Sequence, residues 1–378
     1  MNMKTNALIN GIRQTIDKAG GHISFARFME LALYHPERGY YNADDFTLGK
    51  QGDFTTAPEV SPLFAQCLAT QFLQINNHLN ANSFLELGAG TGRFALDLLL
   101  TLETLDYLPA HYYIYEMNAR LRQKQQALLK NQCPHLFSRC VWLDQLPKNF
   151  VGVIFANEVL DALPVHCFRI DRDNIKERSV TWQQDQLTWQ ITSPSLELAR
   201  EVEPLRDLYA LRAGYESEVN LQLPAFIQTV ANALTQGVIL FADYGYGQRE
   251  YYHPERSHGT LTCFYRHTRH NNPFVHVGSQ DMTAHVDFTR VIESAIENDC
   301  KLMGYTSQAA FLLACGLMDF AREAEKNLNP TDQFHLHQGI KMLTLPTEMG
   351  ERIKVMALGK NIELPLLGFS LQDRRRDL

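Results

Sequence analysis

The stretch of sequence that decides the fold is Phe84-Leu85-Glu86-Leu87-Gly88-Ala89-Gly90-Thr91-Gly92-Arg93-Phe94. An apolar strand candidate runs into three glycines at alternate positions, and an apolar helix candidate follows. Glycine suits such a turn because it has no Cβ, so the backbone can bend sharply and a ligand can approach it closely. The spacing Gly-x-Gly-x-Gly differs from the Gly-x-Gly-x-x-Gly that brings a pyrophosphate onto a helix N-terminus. It therefore favours a nucleoside without phosphate, such as S-adenosylmethionine.

Strand and helix candidates alternate on both sides of this loop. Short apolar runs separated by helical segments are typical of a parallel sheet that is covered on both faces. The strand candidates are 83–87, 112–116, 139–143, 151–156, 238–243 and 353–358, with helices at about 93–101 and 119–130. The prediction is an α/β fold with a Rossmann-like sheet.

An acidic residue follows the second strand candidate at the position where a ribose would bind. Glu116 lies 26 residues beyond Gly90, and a carboxylate at this strand end can accept both ribose hydroxyls. Asp144, after the third strand candidate, is a candidate for a contact with the adenine; an ordinary loop acid explains it equally well. The candidate cofactor-binding residues are Glu86, Gly88, Ala89, Gly90, Gly92, Glu116, Met117, Asp144 and Asn157.

The segment after the fourth strand candidate carries two acids three residues apart, Glu158 and Asp161. Ligands of such sheets bind outside the carboxyl ends of the strands, so this segment faces the reactive end of the cofactor. Two close carboxylates attract a cation, and a guanidinium matches them because its planar fork binds carboxylates bidentately. The alternative is that Asp161 caps a short helix and Glu158 is solvated.

Composition excludes several classes of protein. The 378 residues carry a net charge of −7, which disfavours nucleic acid as a partner. The seven cysteines include no CxxC and no zinc spacing, so we expect reduced thiols and no metal. The N-terminus lacks the apolar region of a signal peptide, and the longest apolar run, about ten residues, is far short of the ~20 that a membrane span needs. We expect a cytoplasmic location.

The pattern also suggests how the chain is organised. Ser24 is a candidate N-cap of a helix that ends at His35-Pro36, and helices are expected at about 61–75, 223–236 and 306–328. The expected regions are an N-terminal helical and loop region that caps the active site (1–80), a core that carries the Rossmann-like sheet (81–165 and 225–300), inserted antiparallel strands that form a second subdomain (166–224), and a C-terminal helical segment with the final core strand (301–378).

Several longer motifs resemble one known family. They are SFARFMELALYHPERGYY (24–41), GDFTTAPEVSPLF (52–64), LELGAGTGRFALDLL (85–99), IYEMNARLRQKQ (114–125), NEVLDALPVHCF (157–168), DYGYG (243–247), GTLTCFYRH (259–267) and DMTAHVDF (281–288). Together they are similar to the MidA family of class I methyltransferases, whose mitochondrial members assist the assembly of respiratory complex I. The resemblance extends nearly from end to end.

The resemblance implies a seven-stranded class I sheet, S-adenosylmethionine as cofactor, and a protein arginine as substrate; its precedent is symmetric dimethylation of an arginine in a complex I subunit. Asn118 stands where the family pattern has serine, and Ala89 where many members have proline. Neither departure bears on the substrate.

The expected chemistry is transfer of a methyl group to a guanidinium nitrogen. Glu158 and Asp161 would localise the positive charge on the far nitrogens, Asp53 or Glu59 would close the pocket, and His285 would take up the released proton, since an ordinary histidine has a pKa near 6.5. Three other functions stay open. They are a nicotinamide dehydrogenase, a small-molecule methyltransferase, and a non-enzymatic assembly factor that retains the fold. A homodimer is also left open.

Overall fold

The computed structural model of the chain describes residues 3–43, 55–172 and 174–378. Within these residues, the central sheet has eight strands. The short strand Val286–Asp287 pairs in parallel with Gly245 and Tyr246 off the main path, and we number the seven strands of that path in chain order. They are Ser83–Leu87 (β1), His111–Tyr115 (β2), Cys140–Leu143 (β3), Phe150–Asn157 (β4), Leu234–Tyr246 (β5), Lys301–Ser307 (β6) and Ile353–Lys360 (β7). Their spatial order is β3-β2-β1-β4-β5-β7-β6, so the predicted Rossmann-like, seven-stranded α/β sheet is confirmed.

The pairing pattern places the ligand site. Strands β1 to β5 pair in parallel, whereas β7 is antiparallel to both β5 and β6. The strand order reverses between β1 and β4, and a crevice outside the carboxyl ends of strands forms at such a point. The glycine loop after β1 and the segment after β4 therefore border the same crevice.

Helices pack on both faces of this sheet, and others pack against a second, antiparallel sheet described below. They span Met3–Lys18, Phe25–Tyr34, Ala57–Val60, Leu63–Leu79, Arg93–Thr104, Ala119–Gln132, Leu196–Leu208, Leu223–Ala233, Gln248–Tyr251, Phe288–Ile296, Gln308–Ala314, Leu317–Glu325, Pro330–Thr344 and Met349–Arg352. Among these described helices, none has the length and apolar character needed to cross a membrane. The predicted N-cap is confirmed, because the Ser24 hydroxyl accepts from the backbone N–H of Arg27 at 3.2 Å.

Two separate cores lie on the two faces because side chains alternate along each strand. On one face Phe155 of β4 packs against Phe72 and Phe94, with ring centroids 5.7 and 4.7 Å away. On the other face the neighbouring Ile154 belongs to a core with Phe241 of β5. The central sheet is thus buried on both sides.

A second, antiparallel sheet is built mainly from the inserted region. It contains the strands His166–Asp171, Asn174–Gln183, Gln186–Thr192 and Glu216–Val219, and it is joined by His22–Ile23 from the N-terminal region. A small third sheet contains Thr262–Tyr265, Thr268–His270 and Asp281–Thr283. The segment 225–300, expected as core, therefore also carries a separate antiparallel sheet.

The expected helix over 306–328 is wrong at its start and in its continuity. Residues up to Ser307 belong to β6, and the helical part is divided at Gly316, which has a φ of +92°. The sequence pattern did not predict strand β6, because Gly304 interrupts it. A Cβ at Gly304 would lie 2.3 Å from the ring of Phe369, so close packing of this ring accounts for glycine inside a strand.

The approach of β4 and β5 generates a stability prediction. Gly237 has a φ of +137°, and a Cβ there would lie 1.9 Å from the carbonyl oxygen of Gly152 on the paired strand. We expect Gly237→Ala to destabilise the protein by about 3 kcal/mol or more, because strain adds to a backbone clash. Gly11→Ala is the matched control, since nothing lies within 4 Å of its Cβ position inside a helix. It should be neutral or stabilising in the same denaturant titration. Equal midpoints for the two variants would contradict the packing described.

Candidate active site

The glycine loop between β1 and the helix Arg93–Thr104 has the backbone that its sequence requires. Gly88, Gly90 and Gly92 have φ values of +66°, +52° and +86°, in the left-handed region that other residues rarely adopt. A Cβ at Gly88 would also lie 3.0 Å from Val159 in the segment after β4. The loop is therefore closely bordered by the other side of the crevice, as a ligand cradle at a switch point should be.

Gln125 connects this loop to the next two strands, and sequence reasoning missed it. Its side-chain amide donates to the carbonyl oxygen of Gly90 at 3.0 Å and to Glu116 at 3.2 Å. Its own oxygen accepts from the indole N–H of Trp142 on β3 at 2.9 Å. Gln125 is fully buried. The residue was visible only as the last letter of the motif 114–125, without a signal for its role.

Glu116 follows β2 directly and is almost fully buried. Its carboxylate accepts from the backbone N–H of Asn118 at 2.9 Å, and burial raises its pKa although these hydrogen bonds lower it. Met117 beside it is 86% exposed, so an apolar side chain is available next to the carboxylate. Asn118 caps the following helix and donates to the carbonyl oxygen of Tyr41 at 2.5 Å. The departure from the family serine thus ties this loop to the N-terminal region.

Three other cofactor candidates make contacts within the protein. Glu86 is buried in β1 and accepts from the Tyr112 hydroxyl at 2.8 Å; burial raises its pKa to about 8. Asp144 is exposed and forms an ion pair with Arg122 at 2.7 Å. Asn157, at the end of β4, donates to Glu158 at 2.9 Å, while its buried side-chain oxygen has no partner in the described protein. Of these three, Asn157 alone offers an unsatisfied polar atom to a ligand.

The segment after β4 is held by one carboxylate of β5. Asp243 accepts from the backbone N–H groups of Val159 at 3.0 Å, Leu160 at 2.8 Å and Asp161 at 3.4 Å. Its other oxygen accepts from the N–H of Tyr244 at 2.8 Å. The alternative in which Asp161 caps a helix is wrong, because no helix follows it and its side chain is 5% exposed.

Glu158 adopts a backbone conformation that its residue type disfavours. Its φ is +51°, and its N–H donates to the carbonyl oxygen of Ala242 at 2.8 Å. Non-glycine residues in this region cost about 1–3 kcal/mol and occur where the surrounding structure demands them, often at active sites. One carboxylate oxygen accepts from the backbone N–H of Ala57 at 3.3 Å. The turn therefore directs this side chain toward the N-terminal region instead of leaving it in solvent.

Four carboxylates meet at the carboxyl ends of β4 and β5, and we call them the acidic recess: Glu158, Asp161, Asp243 and Asp281. Burial, and then the charges of the neighbouring acids, raise the pKa of Asp161 well above its ordinary value. Burial raises the pKa of Glu158 to about 8 and that of Asp243 to about 7. Buried like charges of this kind are stabilised by a cation. The predicted anionic cluster is thus present, and Asp281 is a member that sequence reasoning quoted only within a motif.

The N-terminal region reaches the same site. Tyr41 donates to Asp281 at 2.9 Å, and Tyr34 donates to the carbonyl oxygen of Ala162 at 2.8 Å. Glu59 accepts from the Thr91 hydroxyl in the glycine loop, so this acid contacts the cofactor side of the crevice. Asp53, the other expected acid, lies outside the described residues.

His285 stands beside the recess, with its ring stacked 6.3 Å from that of Tyr244. Burial and then four nearby cations lower its pKa to about 3. The expectation that His285 takes up a proton assumed a pKa near 6.5. The structure instead keeps the ring neutral and makes it a weak base.

A seven-stranded sheet with a glycine cradle after β1 and a carboxylate after β2 defines the class I S-adenosylmethionine-dependent methyltransferases. A family profile described as "Putative S-adenosyl-L-methionine-dependent methyltransferase" matches residues 63–306, more than half of the chain. The chain belongs to this family, and the resemblance to MidA proteins is confirmed. The alternative of a nicotinamide dehydrogenase is wrong.

Solved and curated relatives agree with this assignment. A Burkholderia thailandensis protein bound to S-adenosyl-homocysteine is 37% identical, with a TM-score of 0.93 over 99% of this chain and 97% of that one. The Drosophila melanogaster "Protein arginine methyltransferase NDUFAF7 homolog, mitochondrial" is 27% identical, covering 93% of this chain and 86% of the relative. The Homo sapiens NDUFAF7 protein, of the same description, is also 27% identical, covering 90% and 81%. S-Adenosylmethionine is therefore the cofactor.

The bridging role of Gln125 can be tested by cofactor binding. Gln125→Ala would leave Glu116, Gly90 and Trp142 without their shared partner, so we expect the dissociation constant of S-adenosyl-homocysteine to rise about tenfold or more. Gln126→Ala, on the exposed side of the same helix, is the control and should bind as wild type does. Calorimetric titration measures both. Unchanged affinity in Gln125→Ala would show that the bridge does not position the cofactor cradle.

Proposed function

We propose that this methyltransferase acts on an arginine side chain of a protein substrate. The observation that carries the proposal is the acidic recess, which lies at the end of β4 next to the glycine cradle. A guanidinium is the cation that suits it best, because its planar fork can meet carboxylates on more than one side. The curated relatives named as protein arginine methyltransferases support the same substrate class.

The recess addresses the main difficulty of the reaction. A guanidinium is a poor nucleophile because its charge is delocalised and it stays protonated. Glu158 and Asp161 would hold the charge on the nitrogens that face them and leave the third nitrogen toward the glycine cradle. The cofactor, when bound, supplies a methyl group already activated on a sulfonium. The protein then has to hold the nucleophile in line at near-attack distance.

Methylation of a guanidinium nitrogen replaces an N–H bond by an N–CH₃ bond, so one proton must leave. Glu158 suits this role better than His285, because its carboxylate, once ionised, is a stronger base, with a pKa of about 8 in the empty site. His285, with a pKa of about 3, does not. In this proposal Glu158 both positions the guanidinium and receives the proton.

The proposal extends to the identity of the target protein. The complex I subunit suggested by the family precedent is the first candidate, and a reducing compartment such as the cytoplasm is the location we propose, because the seven cysteines are buried free thiols. Small-molecule methylation is the second candidate function, since a single cationic group would also satisfy the recess.

Two substitutions test the proposed roles. Glu158→Gln keeps an oxygen that can accept from Ala57 and Asn157, and Asp161→Asn preserves the side-chain shape. Each removes a carboxylate from the guanidinium, so kcat/KM for an arginine peptide should fall about 100-fold. S-Adenosyl-homocysteine affinity, measured by calorimetry, should persist.

Asp319→Asn is the matched control. This carboxylate is exposed and pairs with Arg322 on the same helix, which is distant from the recess. It should transfer methyl groups like the wild type in a radiolabel assay. Wild-type transfer by both recess variants would contradict the assignment of Glu158 and Asp161.

The raised pKa of Glu158 predicts a pH dependence. Below a pKa of about 8 the empty site is largely protonated at Glu158 and binds a guanidinium weakly. The substrate arginine keeps its charge throughout, so kcat/KM should rise from about pH 6 to about pH 9 as the enzyme carboxyl ionises. Glu158→Gln should lose the part of this rise centred near pH 8, whereas Asp243, with a pKa of about 7, still contributes at lower pH. A profile that falls with pH would contradict this account.

A further inference from the structure

A group of cations surrounds the end of β5, just beyond the acidic recess. We call it the basic patch: Arg256, Arg269, Arg352 and Lys354. The Arg256 guanidinium lies 4.2 Å from the ring centroid of Tyr246, and the Lys354 ammonium lies 5.7 Å from the same centroid. The His285 ring is 5.1 Å from the same tyrosine.

The sheet register brings the patch together from four elements. Tyr244 pairs with Ile353, so Arg352 immediately precedes β7 beside the end of β5. Arg269, on the small third sheet, donates to the Thr262 hydroxyl at 3.3 Å. The neighbouring Thr260 hydroxyl accepts from the backbone N–H of His285 at 3.0 Å. The same four cations depress the pKa of His285, in agreement with this geometry.

The members of the patch differ in accessibility. Lys354 is buried and pairs with Glu351 at 3.5 Å, and Arg256 is half-buried, 3.9 Å from Glu250. Arg269 and Arg352 are exposed and present their charge to solvent. In a chain with a net charge of −7, four cations close enough to His285 to lower its pKa are a local departure from the overall charge.

The patch and the recess are separated by a short distance. Asp243 and Tyr246 are three residues apart on β5, which is about 10 Å at the ~3.3 Å rise of a strand. Tyr244 lies between them in the chain. Burial and then the charges of the recess carboxylates raise its pKa, whereas the charge of Arg352 lowers it. A polypeptide whose arginine enters the recess would therefore place neighbouring side chains near Arg269 and Arg352.

Resting on the proposed transfer to arginine, we propose that the basic patch binds an acidic side chain of the same substrate, within about three residues of the target arginine. A carboxylate matches guanidinium groups in charge and geometry. An extended polyanion such as a nucleic acid fits less well, because the adjoining recess would repel it. The site thus recognises a positive and a negative side chain of the substrate together, and not an arginine alone.

Two short synthetic peptides test this inference. Each contains one arginine in a glycine, serine and alanine background; one carries glutamate three residues before and after it, and the other carries glutamine there. We expect wild-type kcat/KM to be about fivefold higher for the glutamate peptide, as a pair of partly screened charge contacts would give. Equal values, or a preference for glutamine, would overturn the inference.

Substitutions identify the source of the preference. Arg269→Gln and Arg352→Gln should each reduce the ratio between the two peptides, and the double variant should bring it close to one. Arg322→Gln is the matched control, because it removes the same charge from an exposed helix elsewhere. If Arg322→Gln lowers the ratio as much as the patch variants do, the effect comes from net charge and the inference is wrong.

A binding measurement separates this inference from the proposed function. In both peptides the arginine is replaced by uncharged citrulline, and fluorescence anisotropy measures binding to the S-adenosyl-homocysteine complex. Tighter binding of the glutamate peptide that depends on Arg269 and Arg352 supports the patch without any methyl transfer. If that result appears while no arginine peptide is methylated, the proposed function fails and the anion site stands. If arginine is methylated with no glutamate preference in either assay, the patch inference alone fails.

Discussion

The site depends on Asp243, whose carboxylate accepts hydrogen bonds from three successive backbone N–H groups. This carboxylate of β5 fixes residues 159–161 after β4. Because the turn is fixed there, Glu158 is held at a positive φ and Asp161 is buried. The N–H donors favour the ionised form of Asp243 and oppose the burial that raises its pKa. One acid thus organises the position of two others.

The unfavourable burial of several carboxylates explains why the recess would select a cation. Close acidic groups in a buried site raise each other's pKa, so the empty recess holds protons that a cation would displace. In the proposed reaction the recess would bind positive charge in exchange for protons, an exchange that a neutral group does not offer. Its place beside the cradle for a sulfonium nucleoside would direct that preference to the atom that receives the methyl group.

The sequence could predict features that repeat a local rule. Alternating glycines, apolar strands and the acid after β2 each have a local cause, and the strands β1 to β5 and β7 were found from it. Strand β6 could not be found, because Gly304 is explained by a ring 65 residues away. Gln125 was missed for a related reason, since its three partners lie on different elements. The position of Asp281 also needed the fold, because a separate sheet carries it to the recess.

The strand His22–Ile23 gives the N-terminal region a role beyond that of a flexible leader. It pairs with Val180 and Thr181, and the Thr181 hydroxyl donates to the Gly21 carbonyl oxygen at 2.7 Å. The helix that follows it carries Tyr34, and Tyr41 comes shortly after. The N-terminal region therefore connects the inserted sheet to the wall of the pocket. Truncation of the chain to its nucleoside-binding half would remove an edge strand of the inserted sheet and a wall of the pocket at the same time. A functional enzyme therefore needs nearly the whole polypeptide.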